Sequence, residues 1–174
     1  HSYIGGSLDD LRPHVYADAD LASCAESQRS TAGSHMAVQS ENSDFPIIGK
    51  SPRQGSTASS TPEAELVAGH SAVKDVLIPA MDLWETLLPS GIKCIFYEGN
   101  TAMMRVVEMH RNPAMKHLHR VHGVAIAFLH EQLADPVRGS RCNMVHTESS
   151  TMAADIHTKA FTDANKWVDV CKLV

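Results

Sequence analysis

The chain is poor in several things at once. Aromatic residues make up 5% of its 174 positions, and its four cysteines, Cys24, Cys94, Cys142 and Cys171, form no C-x-x-C pair. That spacing excludes a disulfide framework and a paired-cysteine zinc or redox motif, so the cysteines read as reduced thiols of an intracellular reducing compartment. The longest unbroken apolar run, Val124 to Leu129, is six residues. A membrane helix needs roughly 20, so there is no membrane-spanning segment. No basic stretch followed by an apolar one opens the chain, and its first residue is His1, as expected of a fragment or a processed product. A glycine-rich phosphate loop, a dinucleotide fingerprint and a Ser/His/Asp arrangement are all missing. Positive charge is scarce: 15 Lys and Arg stand against 20 Asp and Glu, a net charge of −5. That balance argues against a protein whose main task is to clamp a phosphate backbone.

What is present suits one globular domain. With 43% hydrophobic residues, a chain of this length buries about 70% of its unfolded surface and needs no staple. The first half alternates with a period of two: Val15, Ala17, Ala19 and Leu21 share one strand face, and Tyr16, Asp18 and Asp20 the other. Ser34 to Gln39 and Phe45 to Lys50 read as the next two strands, separated by polar turn material. Ser60 and Glu63 fit a capping box, with Pro62 in the first turn of a helix that starts near residue 62. Leu66, His70, Val73 and Leu77 then form a core-facing stripe that Leu83, Trp84, Leu87 and Leu88 continue. Pro79 has no N–H and collides with the carbonyl of Asp75, which predicts a kink or two abutting helices. Ile92 to Tyr97 reads as a buried strand, Thr101 to Met109 and Pro113 to Leu133 as helices, Cys142 to Val145 as a last strand and Met152 to Val174 as a helical tail. The alternation of strands and helices predicts an α/β class with a mixed sheet.

Chemistry is concentrated in acids placed at strand ends and helix starts: Asp18, Asp20, Glu63, Glu65, Glu98 and Asp155. Converging carboxylates are the hard oxygen ligands that Mg²⁺ takes, and two such ions can hold the attacking and leaving oxygens of a phosphodiester. One local surface is basic: between Met103 and His122, Arg105, Arg111, Lys116 and Arg120 face a single acid, Glu108. These four are the candidate contacts for a nucleic acid or a partner protein. His117 and His119 lie about 200° apart on a helix, which argues against a shared zinc ion. His146, nine residues before Asp155, is an accessory candidate for proton transfer.

Six stretches occur in an order that resembles the ribonuclease H domain at the end of copia-type retrotransposon polyproteins. They are Val15 to Cys24 with Gln28 to Gly33, Lys50 to Gln54, Ser59 to Leu66, Asn100 to Ala102, Met115 to His122, and Ala154 to Lys159. The resemblance covers about residues 14 to 174, which leaves 1–13 as an N-terminal extension. It implies an RNase H-like fold, a five-stranded mixed sheet flanked by helices. It also implies cleavage of RNA in an RNA–DNA hybrid with Mg²⁺ or Mn²⁺, in a domain that a reverse transcriptase can precede. Carried over, Asp18, Glu65 and Asp155 are the catalytic, metal-binding acids. Glu65 is preferred to Glu63 because both cannot aim at one metal from one helix, and Asp20, further along the strand, is an outer candidate.

The chain departs from that family at the end of the fourth strand. Where the family has Asp before the asparagine, Tyr97-Glu98-Gly99-Asn100 places a glycine. Glu98 is the nearest substitute, but strand alternation aims it at the opposite face. The expectation is therefore a weak or inactive enzyme. The alternative is a catalytically inactive RNase H-like domain that serves as a structural or binding subunit of a protein assembly, with no metal in a degenerate pocket.

Overall fold

The computed structural model describes residues 2–24, 26–87, 93–110, 120–137 and 141–174, the side chains of 120–124 excepted. Three strands form an antiparallel meander: β1 (Arg12–Asp20), β2 (Thr31–Ser40) and β3 (Ser43–Lys50). Two more, β4 (Cys94–Glu98) and β5 (Cys142–His146), run parallel to β1 on its other side. The sheet order is β3-β2-β1-β4-β5. Helices α1 (Thr61–Ala72), α2 (Ile78–Leu87), α3 (Thr101–Glu108), α4 (Arg120–Leu129) and α5 (Ala164–Cys171) complete it. This is an α/β fold, with the five-stranded mixed sheet and flanking helices that the resemblance implies. Among the described residues no helix is long and apolar enough to cross a membrane.

Alternation along β1 feeds two apolar layers. Val15 and Ala17 join Met36, Val38 and Phe96 under Leu66, Val73 and Leu77, with Met103 and Val107 of α3 and Ile126 and Leu129 of α4. Tyr16, on the other face, packs under Met152, Ala153 and Ala154. Both faces are covered, so β1 is buried almost throughout. The 2–11 segment lies against the start of β3, with Tyr3 and Asp44 exchanging backbone hydrogen bonds of 2.9 and 2.8 Å.

Several local expectations need correction. The helix start at 60–63 is not a reciprocal capping box, since Ser60 makes no side-chain cap. Glu63 instead reaches one residue further back and accepts from Ser59, backbone N–H at 2.7 Å and hydroxyl both. Near Pro79 the expectation of two abutting helices holds: a π-helical turn over Val73–Leu77 separates α1 from α2. The Asp75 carbonyl, which Pro79 cannot serve, accepts from Lys50 Nζ at 3.3 Å. Leu83 and Leu87 face solvent, because the wider turn rotates α2 off the stripe that α1 set. The tail is not one helix. It folds as a short 3₁₀ turn, Ala153–His157, and only then as α5. Arg111, Lys116, His117 and His119 lie outside the described residues, as do the side chains of Arg120 and His122, so the basic helix face has no structural description.

The 3₁₀ turn is seated on glycines. A Cβ at Gly33 would lie 2.5 Å from Thr158 Cγ2 and 3.0 Å from the Ala154 carbonyl oxygen, and one at Gly49 would lie 2.4 Å from the His157 ring. Only bare backbone on β2 and β3 lets the 153–158 segment descend this far. Gly33→Ala is expected to lower stability by about 1–3 kcal/mol, read as a lower urea midpoint. An unchanged midpoint would show that the segment is not tightly seated.

Candidate active site

The site forms where a ladder stops. Pairing between β1 and β4 ends at Ala17 and Glu98, whereas β1 runs on to Asp20. Beyond that point the edge of β1 is open, and groups from both faces of the sheet can meet around it. Asp18 sits there on β1, opposite Gly33 of β2. Glu65 arrives from the first turns of α1, and its carboxylate accepts from the Ala19 N–H left free by the end of the ladder. Asp155 is supplied by the 3₁₀ turn that Gly33 admits.

These three carboxylates line one cavity of about 360 Å³, together with Gly99, Asn100, His146, Thr147, Glu148, Ser149, Met152 and Lys159. All three are buried. Thr158 donates its hydroxyl to Asp18 Oδ2, and Ser149 donates to Asp155 Oδ2 at 2.7 Å. Lys159 Nζ lies 2.6 Å from Asp155 Oδ2 and 3.9 Å from Asp18 Oδ1. His146, the last residue of β5, is on the rim and exposed. Asp20 is half-buried at the end of β1, outside the cavity lining. Arg105 is exposed on α3 and also does not line it.

Glu98 is fully buried and is not part of the cavity wall. Its register partner is Ala17, so it projects from the α1 face, while Gly99 faces the cavity. Its carboxylate accepts from the Asn100 N–H at 2.9 Å and closes the β4–α3 turn. Alternation does not take its charge out of range, because Glu65 comes from that same face. Burial first, and then the charges of Glu98 and Asp18, push Glu65 up to about 10. Burial first, partly offset by the Asn100 N–H, pushes Glu98 up to about 8. Asp18 is also raised, mainly by burial, against the opposing effects of the Thr158 hydroxyl and the Lys159 ammonium.

A pair of divalent ions does not fit these residues as they stand. The donors are of the right kind, and Glu65 Oε2 and Asp155 Oδ1 are buried with no hydrogen-bond partner. Among the described residues, however, no three His, Cys, Asp or Glu side chains are grouped closely enough to hold an ion. Gly99 contributes no side-chain ligand, and an ammonium lies between Asp18 and Asp155. Sequence reasoning had Thr158 and Lys159 inside its last motif without a role. Ser149 and Thr147 carried no signal, since their place depends on where β5 ends.

No protein-family model matches the chain, and no curated protein matches its sequence. Among solved structures it is similar to the N-terminal RNase H domain of a Mycobacterium tuberculosis protein, solved as a fusion with maltose-binding protein. That likeness has a TM-score of 0.49 and 13% identity, over 93% of this chain and 97% of that one. It is also similar to the prototype foamy virus protease–reverse transcriptase, with a TM-score of 0.46 and 10% identity. This chain is covered over 94% of its length there, and spans 20% of the viral protein.

The raised carboxyls set a pH dependence. Glu65 is protonated in the folded chain up to about 10 and ionised in the unfolded chain above the ordinary glutamate range, near 4.5. Between those values the folded state binds the extra proton, so stability falls as pH rises. Buried His14 and His35, lowered to about 4, act oppositely, but only below their unfolded value of 6.5. Cys24, lowered to about 7, also acts oppositely, above that value. Comparison with Glu65→Gln cancels these shared terms. From pH 6.5 to 9 in EDTA the parent should lose stability relative to E65Q, by at most about 1.4 kcal/mol per pH unit. Parallel melting curves across that range would overturn the assignment.

Proposed function

We propose that this is an RNase H-like domain derived from a copia-type retrotransposon polyprotein, with cleavage of RNA in RNA–DNA hybrids as its ancestral activity and that activity impaired at Gly99. The observation that carries the reading is the meeting of Asp18, Glu65 and Asp155 in one cavity, with Gly99 in its wall. Three acids from a strand, a helix and a late turn share no local reason to be neighbours. Mutual repulsion and burial both oppose grouping them, and such an arrangement persists where chemistry has required it. Mg²⁺ or Mn²⁺ would supply Lewis-acid stabilisation of the phosphodiester in an intact site.

A second reading is favoured by the same cavity: an inactive domain that serves as a protein-binding or structural subunit. Lys159 sits against Asp155 and within 3.9 Å of Asp18, so an ammonium already occupies the space between two of the three acids.

The fourth position allows a direct test. A Cβ at Gly99 would meet only ordinary contacts, Met152 Cε at 3.5 Å and the Thr147 carbonyl oxygen at 3.6 Å. The glycine is not among those with positive φ, so an L-residue is unstrained there. Gly99→Asp therefore restores a carboxylate to the cavity wall without displacing backbone. In a hybrid-cleavage assay with Mg²⁺ and then Mn²⁺, the parent should be slower than G99D by roughly 10 to 100-fold or more. Robust cutting by the parent, abolished by Glu98→Gln, would show that Glu98 has taken over the role. No cutting by either form would put the subunit reading first.

A further inference from the structure

We propose that the Lys159 ammonium is the resident cation of this cavity, held between Asp18 and Asp155 where a divalent ion would otherwise sit, so that metal enters this chain only by displacing it. The inference rests on the RNase H-like reading of the cavity and adds what holds the site together when a carboxylate is missing.

The surroundings of Nζ are those of a bound cation. Three oxygens from three places surround it: Asp155 Oδ2 at 2.6 Å, Ser149 Oγ at 3.4 Å and Asp18 Oδ1 at 3.9 Å. The side chain is 40% exposed and reaches in from solvent, so it can swing out without disturbing the core. Its backbone is fixed, because the Lys159 N–H donates to the Asp155 carbonyl at 2.9 Å in the same turn. A tethered ammonium competes at the high effective concentration of an intramolecular partner, whereas a free ion competes at its bulk concentration.

The cavity nevertheless keeps acceptors that one ammonium does not use. Glu65 Oε2 and Asp155 Oδ1 have no hydrogen-bond partner, on residues only 6% and 3% exposed. Of these, the Asp155 oxygen is an unused carboxylate acceptor that a second cation contact could take. With glycine at position 99 the negative charge suffices for the lysine and falls short for a divalent ion. A fourth carboxylate would tip the competition toward metal, and removal of the lysine would tip it the same way. The two changes act on opposite sides of one balance.

The test measures binding, not cleavage. The full chain and its Lys159→Gln and Lys159→Arg variants are titrated with MgCl₂ and with MnCl₂ by calorimetry, and melted in EDTA. K159Q should bind either ion roughly 10 to 100-fold more tightly than the parent. It should also melt lower in EDTA and recover on adding MnCl₂. K159R keeps a cation in place and should behave as the parent does. Equal metal affinity in parent and K159Q, an unchanged melt in EDTA, or K159R matching K159Q would each overturn the proposal. If K159Q folds only with MnCl₂, the ion has replaced the ammonium as proposed. If it folds under neither condition, the lysine has a structural role that metal cannot take over, and the proposal fails. No readout here involves hybrid cleavage, so the G99D assay judges the nuclease reading separately.

Discussion

The early end of the β1–β4 ladder is the constraint on which the site depends. Had pairing continued past Ala17 and Glu98, the Ala19 N–H would be satisfied by a strand neighbour and Glu65 would lose its anchor. The two faces of the sheet would also stay separate, with Asp18 on one and α1 on the other. Stopping the ladder while β1 continues creates a notch that side chains from both layers can reach. Glu98 marks the last rung. Its carboxylate turns back to cap the following turn, which ends β4 at that residue and brings Gly99 to the cavity.

The notch alone would be an open groove with two acids. What closes it is the descent of the 153–158 segment onto β2 and β3, permitted by two glycines and held by Thr158 on Asp18 and by the stacking of His157 on His35 at 5.8 Å. Packing and electrostatics are then inseparable. The same turn that brings a third buried acid into the cavity also brings its lysine. An acid delivered without a cation would leave Asp18, Glu65 and Asp155 facing one another in a poorly solvated space, where each further charge raises the proton affinity of the rest. Glu65 shows the combined consequence, pushed up to about 10 by burial first and then by the charges of Glu98 and Asp18.

The legible and illegible parts of the chain divide along a physical line. Strand alternation and the helical stripe depend on near neighbours, and they place β1, α1 and both sheet layers correctly. The ordered motifs single out Asp18, Glu65 and Asp155 because each is embedded in local residues of its own. The misread features depend on partners distant in sequence. The Asp75 carbonyl, which Pro79 cannot serve, accepts from Lys50, 25 residues away, a partner that local pattern does not show. The tail from Met152 reads as helical, but its first turn is set by the close approach to Gly33, far upstream. Lys159 stands in plain view within its motif. Its place beside Asp18 is invisible until the fold brings the two together across more than a hundred residues.

Position 99 gathers these strands of argument. An acid there would add a further carboxylate to a cavity that already keeps Glu65 neutral and commits a lysine to the rest, and so would raise the cost of folding the site without metal. Glycine removes that repulsion, and the open space around its Cβ position shows that sterics do not demand it. Nor does backbone conformation, since φ at this glycine is not positive. What remains is electrostatic: glycine adds no charge to a cavity that already groups Asp18, Glu65 and Asp155, whereas an acid there would. Glycine at position 99 and Lys159 between Asp18 and Asp155 thus bear on one charge balance.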